Sequence, residues 1–328
     1  MNDRVLVTGI TGYIGEHCAV ELLKQGYEVV GSIRSESKAD STRSAISKLT
    51  SVDKLSFLEA DLLSEQGWDA AMNGCTYVLH VASPFMMMEP KDENAMIAPA
   101  VEGTQRVIAA AQRNGVKRMV LTSSTFAIIA GKRSGHFGPN DWSDTSANIG
   151  AYAKSKTLAE RAAWNANKGS AMELVVINPG AVFGPSVGAQ AEAQNMAMII
   201  KMIQGKVPMI PDVGMGMIDV RDVARLHVKA MTASSAAGKR FIAATAEPVE
   251  MSKVAEVLKN AGYTKAPSRR APSMLLKIAG LFDPEAKAMV PFLGQRASFD
   301  NKATFEILDW KPTPIEISLR EMAAAISK

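Results

Sequence analysis

The segment AYAKSKTLAERAAW opens a helical pattern that sets Tyr152 and Lys156 at i and i+4, neighbours on one helix face. A phenol titrates near ~10 and is a poor acid at neutral pH, but an ammonium beside it favours the phenolate and brings the group nearer the working range. With five tyrosines in the chain, such a pair arises by chance in about three chains in ten, so it gains meaning only in company. That company is Ser124, at the end of the apolar run RMVLTSS, where a hydroxyl can hydrogen-bond the oxygen of a bound carbonyl. The ordinary use of a TSS run is a strand-end turn with local backbone hydrogen bonds.

These residues need a frame, and the frame starts almost at the N-terminus. Arg4 to Thr8 is a short branched apolar run that fits a buried parallel strand. Tyr13 to Gln25 recurs at helical spacing through Ile14, Cys18 and Leu22, Gly26 ends that helix, and YEVVGSI begins a second strand. The stretch TGITGYIG therefore lies at a strand-to-helix turn. Such a turn needs one residue tolerant of positive φ, one without a Cβ where a pyrophosphate approaches the backbone, and one where helix meets sheet. Gly9, Gly12 and Gly15 supply all three, and Thr8, Thr11, Tyr13 and Ile14 line the same turn, with phosphates against the helix N-terminus.

The second strand should end at the adenosine ribose, where an acid suits the 2′-hydroxyl of NAD and a base suits the 2′-phosphate of NADP. Here it reads GSIRSESK, so Arg34 follows Ile33, with Lys38 and Arg43 as helpers. NADP(H) is the expected cofactor. The alternative is that Glu36 reaches a ribose hydroxyl and Arg34 is a surface residue.

Further alternations, KLSFLEADL, TYVLHVASP, RMVLTSS and MELVVINPG with helical stretches between them, predict an α/β fold with a Rossmann-type doubly wound parallel sheet. Ligands of such sheets lie at the carboxyl ends of the strands, which here carry Asp61, Val81, Ala82, Ser83, Thr122, Ser124 and Pro179. His80, inside an apolar strand, reads as a hydrogen-bonded core residue. After Pro179 the chain turns rich in Gly, Pro and Met. The expected division is a dinucleotide-binding domain of 1–180 plus about 215–240 and 298–310, and a smaller, discontinuous substrate lobe of about 181–214 and 241–297.

Composition excludes several classes. Thirty-seven basic against 33 acidic residues leave a thin +4, and pairs such as Lys132-Arg133 and Arg269-Arg270 read as solvated loops, so no nucleic-acid partner is expected. Cys18 and Cys75 form neither a disulfide framework nor a metal motif, and both are expected reduced and buried, with no metal. No apolar run reaches the eighteen or so residues of a membrane span and no h-region opens the chain, which reads as cytoplasmic with no membrane partner.

Taken in order, TGITGYIG, Asp61-Leu62, HVASP, LTSS, YAKSK and NPGAVFGP resemble the extended short-chain dehydrogenase/reductase superfamily over nearly the whole chain. IRSESK, DWSD, SKTLAERAAW and DVRDVARLHV resemble its dihydroflavonol-reductase-like branch, which includes NADPH-dependent aldehyde and ketone reductases. The resemblance implies Tyr152 as the general acid on the carbonyl oxygen, Lys156 as the group that tunes it and binds the nicotinamide ribose, and Ser124 as the group that orients the carbonyl. It also implies adenine contacts near Asp61 and Leu62 and nicotinamide packing against Pro179 and Val182, with hydride passing from NADPH to the carbonyl carbon. Homodimers are common in the superfamily and monomers occur in the branch, which leaves the oligomeric state open.

Departures bear on the substrate. SSTF replaces the SSAG of plant flavonoid enzymes, so Phe126 would reshape the pocket beside Ser124, and NIGAYAKSK lacks the NWYCYGK pattern of cinnamoyl-CoA reductases. Phe85 and the methionines from Met86 onward would offer a pliable apolar wall near the nicotinamide end. The expected substrate is a hydrophobic or aromatic aldehyde or ketone. Rival readings are a nucleotide-sugar epimerase or dehydratase, a hydroxysteroid dehydrogenase, and a redox sensor that binds NADP without turning it over.

Overall fold

The computed structural model describes residues 3–84, 90–188, 194–283 and 289–327. The expected pocket residues Phe85 and Met86 lie outside them. The strands are β1 (Arg4–Thr8), β2 (Glu28–Ile33), β3 (Leu55–Glu59), β4 (Tyr77–His80), β5 (Arg118–Thr122), β6 (Ser134–Phe137) and β7 (Glu173–Pro179). After them come β8 (Ala181–Phe183), β9 (Gly214–Met215), β10 (Met217–Asp219) and β11 (Arg240–Ala243). The helices that frame the site are α1 (Tyr13–Lys24), α2 (Ala39–Ser47), α3 (Trp68–Met72), α4 (Asn94–Arg113), α5 (Phe126–Ile129), α6 (Ala151–Ala166), α7 (Gln194–Ile203), α8 (Val220–Thr232) and α9 (Met251–Asn260).

Seven strands form one parallel sheet in the order β11-β7-β5-β4-β1-β2-β3. The doubly wound architecture is the expected one, because strands buried on both faces need helices on both faces. Alternate residues serve the two sides. Val5, Val7, Leu79, Val120, Val175 and Ile177 pack with Cys18 and Leu22 of α1 and Val223 and Leu226 of α8. Leu6, Val78, Met119, Leu121 and Val176 pack with Trp68, Val107, Ile108 and Ala163 from α3, α4 and α6.

A third core gathers Phe183, Ile199, Met202, Met217, Val254 and Leu258 around α7 and α9. Leu319 and Met322 join it from the helix Ile315–Ile326. β11 begins at Arg240 and pairs with β7 through Ala243, so the sheet runs three residues past position 240. Its apolar run is too short to show strand alternation by itself. Among the described residues no helix is long and apolar enough to cross a membrane, and no cluster of His, Cys, Asp and Glu could hold a metal.

The glycine turn is held by contact rather than by side chains. Gly9 sits at φ 65°, and a Cβ there would come within 2.9 Å of the Ala82 Cα at the end of β4. A Cβ on Gly15 would lie 2.2 Å from the Gly9 carbonyl oxygen, which itself accepts from Gly12 N–H at 2.9 Å. Gly15→Ala should therefore lower the unfolding free energy by about 1–3 kcal/mol, read from the urea midpoint. An unchanged midpoint would mean that the turn can yield.

Candidate functional site

The Ser124, Tyr152 and Lys156 side chains meet where β5 gives way to α5 and α6 begins. Ser124 is buried, its Oγ accepts from Phe126 N–H at 3.1 Å, and it shares a hydrogen bond with the Tyr152 hydroxyl. The Lys156 ammonium lies 5.9 Å from the centre of the Tyr152 ring. Burial pushes the Lys156 ammonium down to about 8, while Glu160 one turn on works the other way. Tyr152 is held above its ordinary value by burial, and the Ser124 hydrogen bond only partly opposes this. The lowering expected from the adjacent lysine is thus not the net result. Helical spacing makes the two neighbours but carries no information on how dry their surroundings are.

Phe126 stands edge-on to Tyr152, with ring centroids 5.9 Å apart, and its other side meets Phe292 at 5.6 Å. Phe292 comes from the short turn Val290–Phe292, far along the chain. Ser143 fixes this corner: its Oγ accepts from Ala130 N–H and donates to the Phe126 carbonyl, both at 2.8 Å.

At the other end of the edge, Arg34 and Lys38 project from the end of β2 and are exposed. Among the described residues neither side chain has a hydrogen-bond or ion-pair partner, so both remain open to an anion. Arg43 is not: it donates to the Leu55 carbonyl at 2.9 Å and covers the Phe57 ring. Gly12 caps α1 with no side chain of its own, so no side-chain oxygen competes for the first-turn N–H groups. Thr11 and Ile14 are partly exposed in that turn. Tyr13 instead donates to the Gly184 carbonyl at 2.7 Å. Asp61 and Leu62 follow β3; the Asp61 carboxylate accepts from Leu63 N–H at 3.0 Å, and Leu62 packs against Gly103 of α4.

The middle of the edge is locked by two Thr–His pairs. Thr8 Oγ1 accepts from the N–H groups of Val81 and Ala82 at 3.1 and 3.0 Å, so its one proton goes to His80 Nδ1 at 2.8 Å. His80 is wholly buried, with a pKa pushed down to about 3 by desolvation, and serves the core as expected. Thr122 turns to the opposite face, where its hydroxyl meets His227 Nε2 at 2.7 Å. That hydroxyl is therefore already engaged. Val81, Ala82 and Ser83 are partly exposed just past β4, while Pro179 and Val182 flank the turn from β7 to β8.

Comparison with known proteins settles the family. The profile described as "NAD dependent epimerase/dehydratase family" matches residues 5–244. The chain belongs to that family. It is 34% identical over 261 residues to cinnamoyl-CoA reductase 2 of Arabidopsis thaliana, covering 77% of this chain and 76% of the relative. It is 32% identical to a putative NADPH-dependent methylglyoxal reductase, GRP2, of Candida albicans, covering 73% and 77%. Among solved structures it is similar to the yeast methylglyoxal/isovaleraldehyde reductase Gre2 complexed with NADPH, with TM-score 0.79, 26% identity and 98% of each chain covered.

In this member of the family several residues to which no role was assigned above tie the site together. His17 Nε2 donates to the Pro185 carbonyl at 2.9 Å, and Glu16 accepts from Gly188 N–H at 3.0 Å, so α1 holds the loop after β8. Arg106 donates to the Leu62 carbonyl at 2.9 Å and steadies the loop after β3. Glu160, Asn178 and Arg240 form a buried polar group behind Ser124, with the partly exposed Trp142 against the guanidinium. Glu160, Asn178 and Trp142 lie inside SKTLAERAAW, NPGAVFGP and DWSD, which carried the resemblance without giving these residues a role.

The depressed Lys156 value has a sign that can be checked. Between about 8 and the ordinary 10.5 the folded chain binds fewer protons than the unfolded one, so stability rises with pH across that window, and the cost is fully present below about 8. Lys156→Met should accordingly raise the urea midpoint at neutral pH, and its advantage should shrink as pH climbs through that window. A constant difference would exclude the buried-ammonium account.

Proposed function

We propose that this chain is an NADP(H)-dependent carbonyl reductase that converts a hydrophobic or aromatic aldehyde or ketone to an alcohol, with Tyr152 as general acid. It is an oxidoreductase, as its reductase relatives are. The observation that carries the reading is the meeting of Ser124, Tyr152 and Lys156 at the carboxyl edge of a sheet whose other end presents two unpaired cations.

The residues present fit a dinucleotide. The close-packed glycines 9, 12 and 15 and the N-terminus of α1, which no side chain caps, suit the pyrophosphate, with Thr8, Thr11, Tyr13 and Ile14 around it. Arg34 and Lys38 suit the 2′-phosphate, Asp61 and Leu62 the adenine, and Val81, Ala82, Ser83, Thr122, Pro179 and Val182 the nicotinamide half. When bound, the reduced nicotinamide supplies the hydride. Tyr152 supplies the proton. Burial keeps the phenol protonated at neutral pH, so the acid is loaded, and Ser124 donates to the same substrate oxygen. The Lys156 ammonium beside the ring favours the phenolate left behind, which then regains its proton from solvent.

Phe126 and Phe292 form an apolar wall against the acid, which supports an apolar substrate over a small charged one. A nucleotide-sugar epimerase or dehydratase would share Tyr152 and Lys156, but the cation at the end of β2 favours NADP(H) over NAD.

The test is NADPH oxidation over a panel of aromatic and aliphatic carbonyls. Tyr152→Phe should lower kcat by about 10²–10⁴-fold with NADPH binding retained. Arg34→Ala should cut the preference for NADPH over NADH by about 10–100-fold, the weight of one charge-assisted hydrogen bond pair. No turnover across the panel with NADPH still bound would favour the sensor, and tightly held NAD in the purified protein would favour the epimerase.

A further inference from the structure

The Glu160 carboxylate is fully buried in α6, one turn beyond Lys156 and two beyond Tyr152. Its Oε2 accepts from Ser123 Oγ at 2.6 Å and from Asn178 Nδ2 at 2.9 Å. Its Oε1 accepts from Arg240 Nε at 2.5 Å and from Trp164 Nε1 at 3.3 Å, and Arg240 adds a second bond to Oε2 at 3.2 Å. The guanidinium is fixed in turn by the carbonyls of Pro139 and Asp141 at 2.6 and 2.7 Å and by the Trp142 ring, 3.9 Å from its carbon.

Two of these bonds reach the catalytic serine. Ser123 is its chain neighbour, and the Asn178 amide that donates to Glu160 also donates to the Ser124 carbonyl at 3.1 Å. The contacts close a ring that leaves α6 at Tyr152, crosses to Ser124, passes through Asn178 and returns to α6 at Glu160. A carboxylate needed only to neutralise Arg240 would have no reason to bond both residues that hold Ser124.

We propose that Glu160 is a positioning residue that grips the Ser123-Ser124 strand end and so sets the separation of Ser124 from Tyr152. Arg240 anchors the grip by satisfying the rest of the carboxylate. The assignment rests on the carbonyl-reductase reading for its effect on rate, but the grip itself is measurable without turnover. The backbone it holds donates from Ser123 N–H to the Ile177 carbonyl and from Thr125 N–H to the Pro179 carbonyl, at 2.8 and 2.9 Å.

The experiment is Glu160→Gln, which keeps the size of the side chain but cannot accept on both ends, and Ser123→Ala, which removes one contact and leaves the ion pair whole. Hydrogen exchange followed by mass spectrometry should show the amides of residues 123–127 exchanging about tenfold faster in Glu160→Gln, while those of β1 and β2 stay as in the parent. In steady state, kcat should fall at least about tenfold with KM for NADPH within about twofold, and Ser123→Ala should follow in the same direction by a smaller step. Unchanged exchange at 123–127, or faster exchange spread evenly over the whole sheet, would overturn the proposal and leave Glu160 as a stabilising ion-pair partner. An unchanged kcat in a folded Glu160→Gln would overturn it too. If Glu160→Gln does not fold, Ser123→Ala decides by the same two measurements. A parent protein that reduces no carbonyl would sink the reductase reading alone, because the exchange pattern still decides the grip.

Discussion

Seven parallel strands that stop along one edge leave a row of polar groups that water reaches poorly, and every one of them needs a partner inside the protein. This requirement orders the site. Thr8 spends its hydroxyl on two backbone amides and His80, Thr122 spends its own on His227, and Ser123 and Asn178 converge on Glu160. Ser124 bonds the Tyr152 hydroxyl and the Phe126 N–H, so the residue proposed for chemistry is the strand-end hydroxyl turned to the phenol.

The same edge shows how a fold can hold two charges of opposite sign in a dry layer. Lys156 is depressed because nothing compensates its burial fully, whereas Glu160, on the same helix face, is saturated with donors. Breaking a buried pair such as Glu160–Arg240 costs about 3–5 kcal/mol, far more than an exposed pair contributes. The scaffold therefore concentrates its electrostatic strength behind the serine, while the lysine stays in an environment that costs stability.

Much of this was legible in the residues. The glycine spacing, the apolar runs and the Tyr152–Lys156 step are local, and local periodicity reports local geometry, so the turn, the sheet class and the meeting of helix and strand end could be read directly. What could not be read lies across the chain. Arg240 meets Glu160 at a sequence distance of 80, and Phe292 reaches Phe126 from far along the chain. Arg43, grouped by spacing with the cations after β2, turns to the Leu55 carbonyl because α2 presents it inward. The rise in the Tyr152 value has the same origin: sequence names the neighbours of a group, and only packing says how much water they exclude.

The polar group behind the serine also has an optical side. The chain carries four tryptophans. Trp142 lies against the Arg240 guanidinium and Trp164 donates to Glu160, so half of the indoles touch one ion pair. A cation against the ring and a carboxylate at the indole nitrogen both shift emission, and intrinsic fluorescence is thus a built-in gauge of whether the scaffold around the serine is assembled.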